Sequence, residues 1–510
     1  MAARTYILAH DLGTTGNKAN LFDAEGKLVA TSFAEYETAY PQPNWVEQNP
    51  EDWWRAVCDT SKRLISEAKL NAQEIAAVSF SGHMMGMTPI DKAGNPLRSC
   101  IIWADQRAQH QAEQIGEILG LDEVYQRTGH RASAAYTMAK LMWMRDHQPE
   151  LYEKTDCVFI PKDYCVFKLT GNRVTDYSDA SGTNMFDLAS RTWLTEMIEK
   201  VGLDPAKLPA LRPSNAVVGE ITTSAAQETG LAAGTPVVIG GGDGSCAGVG
   251  AGVVAPGEAY CYVGSSAWIS ICSRQPLVDP AKKVFTFHYL HPDYYMPTGS
   301  TQAAGGARDW AWEVLEGVRG SRGASELDQM AASVPAGAKG LLFLPYLLGE
   351  RSPWWNPLAR ASWIGMAMSH GRAEMARAAL EGVAMTLRMI LDVMRSQVHD
   401  IHSIRLIGGG SKSPLWRQIF ADCWKLPVHE LELKGEATSW GAAVAGGVAV
   451  GLYDWEIATR RTPIINTVEP NPANSAVYDE LLTITQDTYR ALEPIFGRLA
   501  RAANGFTGAD

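Results

Sequence analysis

The segment from Gly240 to Gly252, Gly-Gly-Gly-Asp-Gly-Ser-Cys-Ala-Gly-Val-Gly-Ala-Gly, sets a single carboxylate in a glycine-dense turn. Asp243 admits two readings. At the N-terminus of a small-residue helix, orphan N–H groups and the macrodipole would keep it ionised and ready to accept a proton from an alcohol. Alternatively it is a simple N-cap. A second set is Asp11-Leu12-Gly13-Thr14-Thr15-Gly16-Asn17-Lys18. Gly13 and Gly16 permit a tight turn whose N–H groups converge on an anion, Thr14 and Thr15 add hydroxyls, and Lys18 can reach a phosphate oxygen. Asp11 suits a Mg²⁺ held through water. An ordinary glycine hairpin is the competing reading, and the Walker pattern is absent. Gly264-Ser265-Ser266 is a second such nest or a plain β-turn; two nests on two lobes would grip one nucleotide from opposite sides. Gly408 to Ser411, including Gly410, offers bare backbone to a flat adenine, or is a strand-to-helix turn that needs positive φ.

On the acceptor side the signals are thinner. His83 and Met85 follow a strand and could line a polyol pocket, although a lone histidine is also an ordinary structural residue. Trp103-Ala104-Asp105-Gln106-Arg107 puts a carboxylate and a guanidinium past another strand end, or an N-cap beside a surface charge. Trp45, Trp53 and Trp54 read as core.

The elements that must carry these residues follow from periodicity and turn chemistry. Thr5 to Ala9, Lys18 to Phe22, Ile75 to Phe80 and Pro236 to Ile239 read as strands, and Asp23 to Gly26 as a hairpin turn. Asn49-Pro50-Glu51-Asp52 opens a helix, with Asn as cap, Pro at the first position and acids in the first turn. Near Val253 to Gly257 the pattern restarts. Ala259 to Val263, Gly264-Ser265-Ser266 and Ala267 to Cys272 repeat the strand, glycine-hydroxyl turn, strand plan, which suggests two lobes of similar design. Ile404 to Ile407 is a further strand leading into a helix to Trp424. Ala437 to Val450 is an alanine- and glycine-rich helix that needs a close neighbour, and a closing helix follows Asn471.

A chain of 510 residues is too long for one core. Its net charge of −11 argues against nucleic-acid and acidic-membrane surfaces, so an anionic ligand must be held by local donors. Eight cysteines are scattered without metal or redox spacing. With no charged-then-apolar leader and no apolar run that spans a bilayer, the expectation is a cytoplasmic protein without membrane or nucleic-acid partners. A homodimer is compatible with this composition.

In order along the chain, these segments resemble the FGGY carbohydrate kinase family, its xylulokinase branch in particular. The likeness rests on Asp11-Leu12-Gly13-Thr14-Thr15, Trp45-Val46-Glu47-Gln48-Asn49-Pro50, Gly241-Gly242-Asp243, and Pro345-Tyr346-Leu347-Leu348-Gly349-Glu350-Arg351-Ser352-Pro353. Trp363-Ile364-Gly365-Met366 through Ala379-Leu380-Glu381-Gly382 and Gly409-Gly410-Ser411-Lys412-Ser413-Pro414-Leu415-Trp416 extend it. The resemblance implies an α/β fold with two ribonuclease-H-like (actin-like ATPase) lobes flanking a central cleft. Residues 1–254 would hold the sugar site, first phosphate loop and base, and residues 255–510 the second phosphate loop and adenosine site. It implies transfer of the ATP γ-phosphate to a terminal hydroxyl of a small ketose, D-xylulose to D-xylulose 5-phosphate first, another ketose or a four- or five-carbon polyol second. A non-catalytic ATP-gated sugar sensor is the alternative from a different class. Asp243 matches the base, Asp11 and Asp243 the Mg²⁺ site through water, and Thr14, Thr15 and Lys18 the first phosphate loop. Gly264, Ser265 and Ser266 match the second loop, while Gly305, Asp309, Gly410 and Ser411 fall around the nucleoside. His83, Met84, Met85, Trp103 and Asp105, with Asp243 and Gly244, are the sugar-side candidates.

Two positions depart from the xylulokinase pattern. Gly82-His83-Met84-Met85-Gly86 stands where Gly-Gln-Met-His-Gly is usual, and Gly244 stands where asparagine usually follows the base. Met85 cannot donate a strong hydrogen bond. Side chains one apart along a strand face opposite ways, so a strand continuing through this segment would alternate its faces.

Overall fold

The computed structural model describes residues 4–318, 320, 323–433 and 435–507. Apolar runs on either side of two glycine turns build two sheets of one plan. In the first, β1 (Tyr6–Leu12) returns antiparallel as β2 (Gly16–Phe22), which pairs with β3 (Leu28–Glu35). On its other side β1 lies parallel to β4 (Ile75–Gly82). β5 (Val217–Glu220) and β6 (Pro236–Val238) complete the order β5-β6-β4-β1-β2-β3.

The second sheet repeats this. β7 (Ala259–Val263) turns at Gly264–Ser266 into antiparallel β8 (Ala267–Ile271). β9 (Phe285–His288) and β10 (Tyr295–Thr301) extend that side. β11 (Ile404–Ile407) and β12 (Val428–Leu431) run parallel to β7, with β13 (Ile464–Val468) antiparallel at the edge. The full order is β9-β10-β8-β7-β11-β12-β13. Thus β3-β2-β1-β4-β6 and β10-β8-β7-β11-β12 share both order and strand directions, and the α/β class expected from the sequence is the one adopted.

Local chemistry places the helices. Asn49 caps α1 (Pro50–Glu67), its side chain accepting from Glu51 N, and Trp53, Val57 and Leu64 of α1 enter the core over the first sheet. α2 (Pro161–Thr170) and α3 (Tyr177–Ser181) lie behind the glycine turn, and α4 (Asp243–Gly250) leaves that turn. In the second half α5 (Gly305–Glu316), α6 (Arg372–Arg395) and α7 (Pro414–Trp424) cover β7 to β12, and the closing helix spans Pro472–Thr507.

α8 (Ala437–Ala449) finds its close neighbour in α4. A Cβ at Gly441 would lie 1.9 Å from the Cys246 carbonyl oxygen, and one at Gly250 1.8 Å from that of Ala437. Only glycine allows two helices to meet backbone to backbone in this way. Although late in the chain, α8 also packs on the first sheet, where Asn20 Nδ2 donates to Ser439 Oγ at 2.6 Å. The two halves are therefore joined where α4 and α8 pack together.

Candidate active site

Asp11 and Asp243 meet at the floor of this cleft. Gly240 takes φ +67°, and a Cβ there would lie 1.8 Å from the Phe80 carbonyl oxygen, so the chain leaves β6 pressed against β4. Gly241 and Gly242 pair with Ser81 and Gly82 of β4 and lead into α4. Gly242 occupies the cap position and Asp243 the first helical one, so Asp243 is not an N-cap. Its Oδ1 accepts from Gly244 N at 2.8 Å.

Asp11 stands on β1 beside Lys18 of β2. Its Oδ2 accepts from Thr438 Oγ1 of α8 at 2.5 Å, and Lys18 Nζ donates to Gly435 O at 3.0 Å. Burial pushes the Asp243 carboxyl up to about 7, the Asp11 charge adds to this, and the Gly244 N–H opposes it. Asp11 is likewise raised by burial, against hydrogen bonds from Thr438 and Ser81 and the charge of Lys18. The expectation that the helix end keeps Asp243 ionised is thus corrected. A helix terminus is worth roughly 0.3–1 kcal/mol, whereas desolvation moves a carboxyl by up to about 3–5 pH units, and desolvation wins here.

Two cavities open on either side of Asp243. The larger, about 460 Å³, is walled by Asp11, Gly13, Gly408, Gly409, Ser411 and Thr438, with Leu406, Ile407 and Leu431 beneath. The smaller, about 200 Å³, is lined by His83, Met84, Met85, Trp103, Gly244 and Ser266. Phe285, Phe287, Met296, Thr298, Ser300, Thr301 and Arg351 complete it. Asp243 and Trp268 line both. Trp268 stacks on Tyr262 (4.1 Å between ring centres, 13°) and donates to Tyr260 Oη at 2.9 Å. Tyr260 in turn donates to Gly244 O at 2.6 Å, tying the second sheet to the turn that carries Asp243.

His83, Met84 and Met85 all face the smaller cavity, which overturns the expected alternation. β4 ends at Gly82, and Met85 takes φ +65° within the following turn, so strand periodicity no longer applies. His83 Nε2 lies 3.1 Å from Gln48 Oε1, its Nδ1 has no hydrogen-bond partner among the described residues, and burial lowers the imidazole to about 3. Trp103 Nε1 donates to Thr14 Oγ1 at 3.2 Å.

Asp105 is the clearest correction. It lies in the interior, accepting from Val46 N at 2.5 Å and from Arg107 Nη2 at 2.7 Å, and it neither lines the cavity nor caps a helix. Arg107, far from a surface charge, stacks over Trp45 at 3.8 Å. Trp53 and Trp54 are core, as expected.

On the wall expected to meet the nucleoside, Gly409 has open space where a Cβ would be, and Ser411 Oγ donates to Gly408 O at 2.7 Å. Gly410 instead serves packing, since a Cβ there would lie 2.4 Å from Val263. Gly305 lies against the second turn, its N–H donating to Gly264 O at 2.8 Å, and Asp309 is exposed on α5; neither lines the large cavity. Thr15 and Ser265 are exposed at the tips of their turns.

Sequence reasoning missed Thr438, Arg351 and the Phe285–Phe287 wall. The one signal for Thr438 was the Thr438-Ser439 hydroxyl pair opening an otherwise apolar helix.

Residues 6–250 match the model of the N-terminal domain of the FGGY family of carbohydrate kinases, and residues 259–450 that of its C-terminal domain. The chain is similar to the xylulose kinase of Bacillus subtilis, 32% identical over 88% of this chain and 89% of that one. Its fold superposes on a gluconate kinase from Lactobacillus acidophilus with TM-score 0.92, 27% identical over 97% of this chain and 99% of the other. A ligand-bound xylulose kinase from the same organism gives TM-score 0.91 at 27% identity and the same coverage.

Proposed function

This chain belongs to the FGGY family of carbohydrate kinases, and we propose that its acceptor is a small ketose, D-xylulose first, converted to D-xylulose 5-phosphate. Sugar kinases of this family use ATP. The observation that carries the reading is that Asp243 lines both cavities, so one carboxylate faces a nucleotide-sized and a sugar-sized space at once. A purely nucleotide-gated sensor has no need of a base at that junction.

In this reading the acceptor occupies the smaller cavity and directs its terminal hydroxyl at the large one. The hydroxyl oxygen forms a bond to the γ-phosphorus, the bond from that phosphorus to the ADP oxygen breaks, and Asp243 accepts the hydroxyl proton. A base held near 7 is matched to that transfer at neutral pH. The bare backbone at Gly408 and Gly409 suits an adenine face, with Ser411 beside it. Gly13, with the hydroxyls and N–H groups of Thr14 and Thr15, supplies donors from the first sheet. Gly264, Ser265 and Ser266 supply them from the second, and Lys18 adds a cation.

The raised Asp11 and Asp243 face the same cavity, a donor set of two hard carboxylates that fits Mg²⁺ held through water. When bound, such an ion neutralises charge on the phosphate oxygens.

A second acceptor class is favoured by one side chain. Arg351 lines the smaller cavity, and among the described residues its guanidinium has no hydrogen-bond or ion-pair partner. The neighbouring Glu350 spends its carboxylate on Thr301, Gln302 N and Arg351 N. An unpaired guanidinium suits a carboxylate, so a sugar acid is the alternative acceptor.

We place the protein in the cytoplasm. Among the described residues no helix is long and apolar enough to cross a membrane, and all eight cysteines are free and buried. The test is ATP consumption by the purified protein across ketoses, polyols and sugar acids, with the product identified by NMR. D-Xylulose as the best acceptor supports the first reading, D-gluconate the second, and no acceptor-dependent ADP release contradicts both.

A further inference from the structure

Behind the glycine turn lies a cluster of charge that phosphoryl transfer leaves unused. Lys162, Asp163, Asp176 and Asp179 are all wholly buried. Lys162 Nζ lies 2.7 Å from Asp163 Oδ1, 2.8 Å from Asp176 Oδ1 and 3.0 Å from Asp179 Oδ2. One ammonium against three carboxylates leaves excess negative charge in a dry interior. Asp179 is accordingly held far above the usual carboxylate range, by burial first and then by its acidic neighbours against Lys162. Such clusters seldom stabilise a fold better than apolar packing of the same volume, so stability alone does not explain this one.

Asp176 carries the cluster towards the cleft. Its Oδ2 accepts from Ser178 Oγ at 2.5 Å, from Ser214 Oγ at 2.7 Å and from Ser178 N at 2.8 Å. Ser178 has a single hydroxyl proton, and Asp176 takes it. The lone pairs of that oxygen are thereby turned outward, and one accepts from Gly242 N at 2.9 Å. Gly242 is the residue before Asp243. The approach requires the neighbouring glycine, since a Cβ at Gly241 would lie 2.7 Å from Ser178 Oγ and 3.4 Å from Asp176 Oδ2. A charge-oriented hydrogen bond thus fixes the Gly241–Gly242 peptide, one peptide before the residue that carries the carboxylate.

We propose that Ser178, oriented by Asp176 and Lys162, is a positioning residue for Asp243: it holds the turn so that the carboxylate keeps its place between the two cavities. The inference rests on reading Asp243 as the base. A small misplacement of a reacting group costs rate rather than affinity, on the order of 10²-fold for about 1 Å.

The test compares the full-length wild-type protein with Ser178→Ala, Ser178→Cys and Asp243→Asn, measuring kcat and both KM values. Ser178→Ala should lose about 10- to 100-fold in kcat, while KM for ATP and acceptor stays within about two-fold. Ser178→Cys, which retains a weaker acceptor in the same place, should recover part of the loss and remains informative if the alanine variant folds poorly. An unchanged kcat in Ser178→Ala overturns the inference, as does a loss that appears in both KM values instead. If Asp243→Asn is inactive while Ser178→Ala is unaffected, only the positioning role fails; if Asp243→Asn is itself active, the reading of the base fails first.

Discussion

The proposed chemistry rests on Asp243 and on the turn residues His83 to Met85, which line the smaller cavity. The type and placement of Asp243 were legible in the sequence because few arrangements put one carboxylate in so many glycines. Its raised pKa was not legible, since it depends on the depth of the floor and on Asp11 arriving from another strand. The sugar side misled for a related reason: alternation holds only while the strand lasts, and β4 stops at Gly82. The structure also shows that the two departures from the xylulokinase pattern are repairable. Met85 is left-handed at φ +65°, a region where histidine is better tolerated than most residues. A Cβ at Gly244 would meet Met296 Cε at 3.4 Å and Tyr260 Oη at 4.0 Å, ordinary contacts. Met85→His with Gly244→Asn should therefore fold and add polar partners to an apolar wall. The ratio of kcat/KM for D-xylulose over competing ketoses and polyols should rise by about 10-fold or more, as pairing of buried polar groups sharpens discrimination. An unchanged ratio in the folded variant would remove both residues from the account of specificity.

At the scale of elements, the glycines divide into those that let backbones touch and those that leave room. The sequence announced that α8 needs a close neighbour, and α4 is that neighbour. It could not announce that the contact joins the two halves, because α4 and α8 lie nearly 200 residues apart and only sheet topology brings them together. Two substitutions separate the classes. Gly441→Ala forces a Cβ to within 1.9 Å of the Cys246 carbonyl oxygen. It should destabilise by at least the roughly 1–3 kcal/mol typical of overpacking, seen as a lower unfolding temperature. Gly409→Ala meets nothing within 4 Å and stands on the wall of the large cavity. That variant should unfold like the wild type while its KM for ATP rises several-fold. A normal KM for ATP would argue that the nucleoside does not lie on this backbone.

On the scale of the whole molecule, two sheets of the same order face one cleft, and the repeat suggested by two short glycine-hydroxyl turns proves to be a repeat of topology. Stability should carry the mark of this large dry interior. His130 is wholly buried against Phe285 and Phe287, and burial lowers it to about 3. Its folded pKa lies below its unfolded value of about 6.5, so its contribution is intact above that pH and is lost as pH falls towards about 3. The loss is about 1.4 kcal/mol per pH unit within that window. His130→Gln removes the titration while leaving the raised carboxylates Asp243 and Glu350 in both proteins. The stability deficit of the variant should thus be largest at pH 7.5 and shrink by about 1.4 kcal/mol at pH 5.5. A deficit that stays constant with pH would mean that His130 takes up its proton as readily in the folded protein as in the unfolded chain.

The central claim is that the cleft transfers phosphate where its two cavities meet at Asp243. The most direct measurement is ³¹P NMR of ATP and D-xylulose with the wild-type protein and Asp243→Asn under equal conditions. The account predicts a sugar-phosphate signal growing with ADP in the wild type, and a rate at least about 10²-fold lower in the variant with ATP and acceptor binding retained. Phosphorylation by Asp243→Asn at the wild-type rate would contradict it.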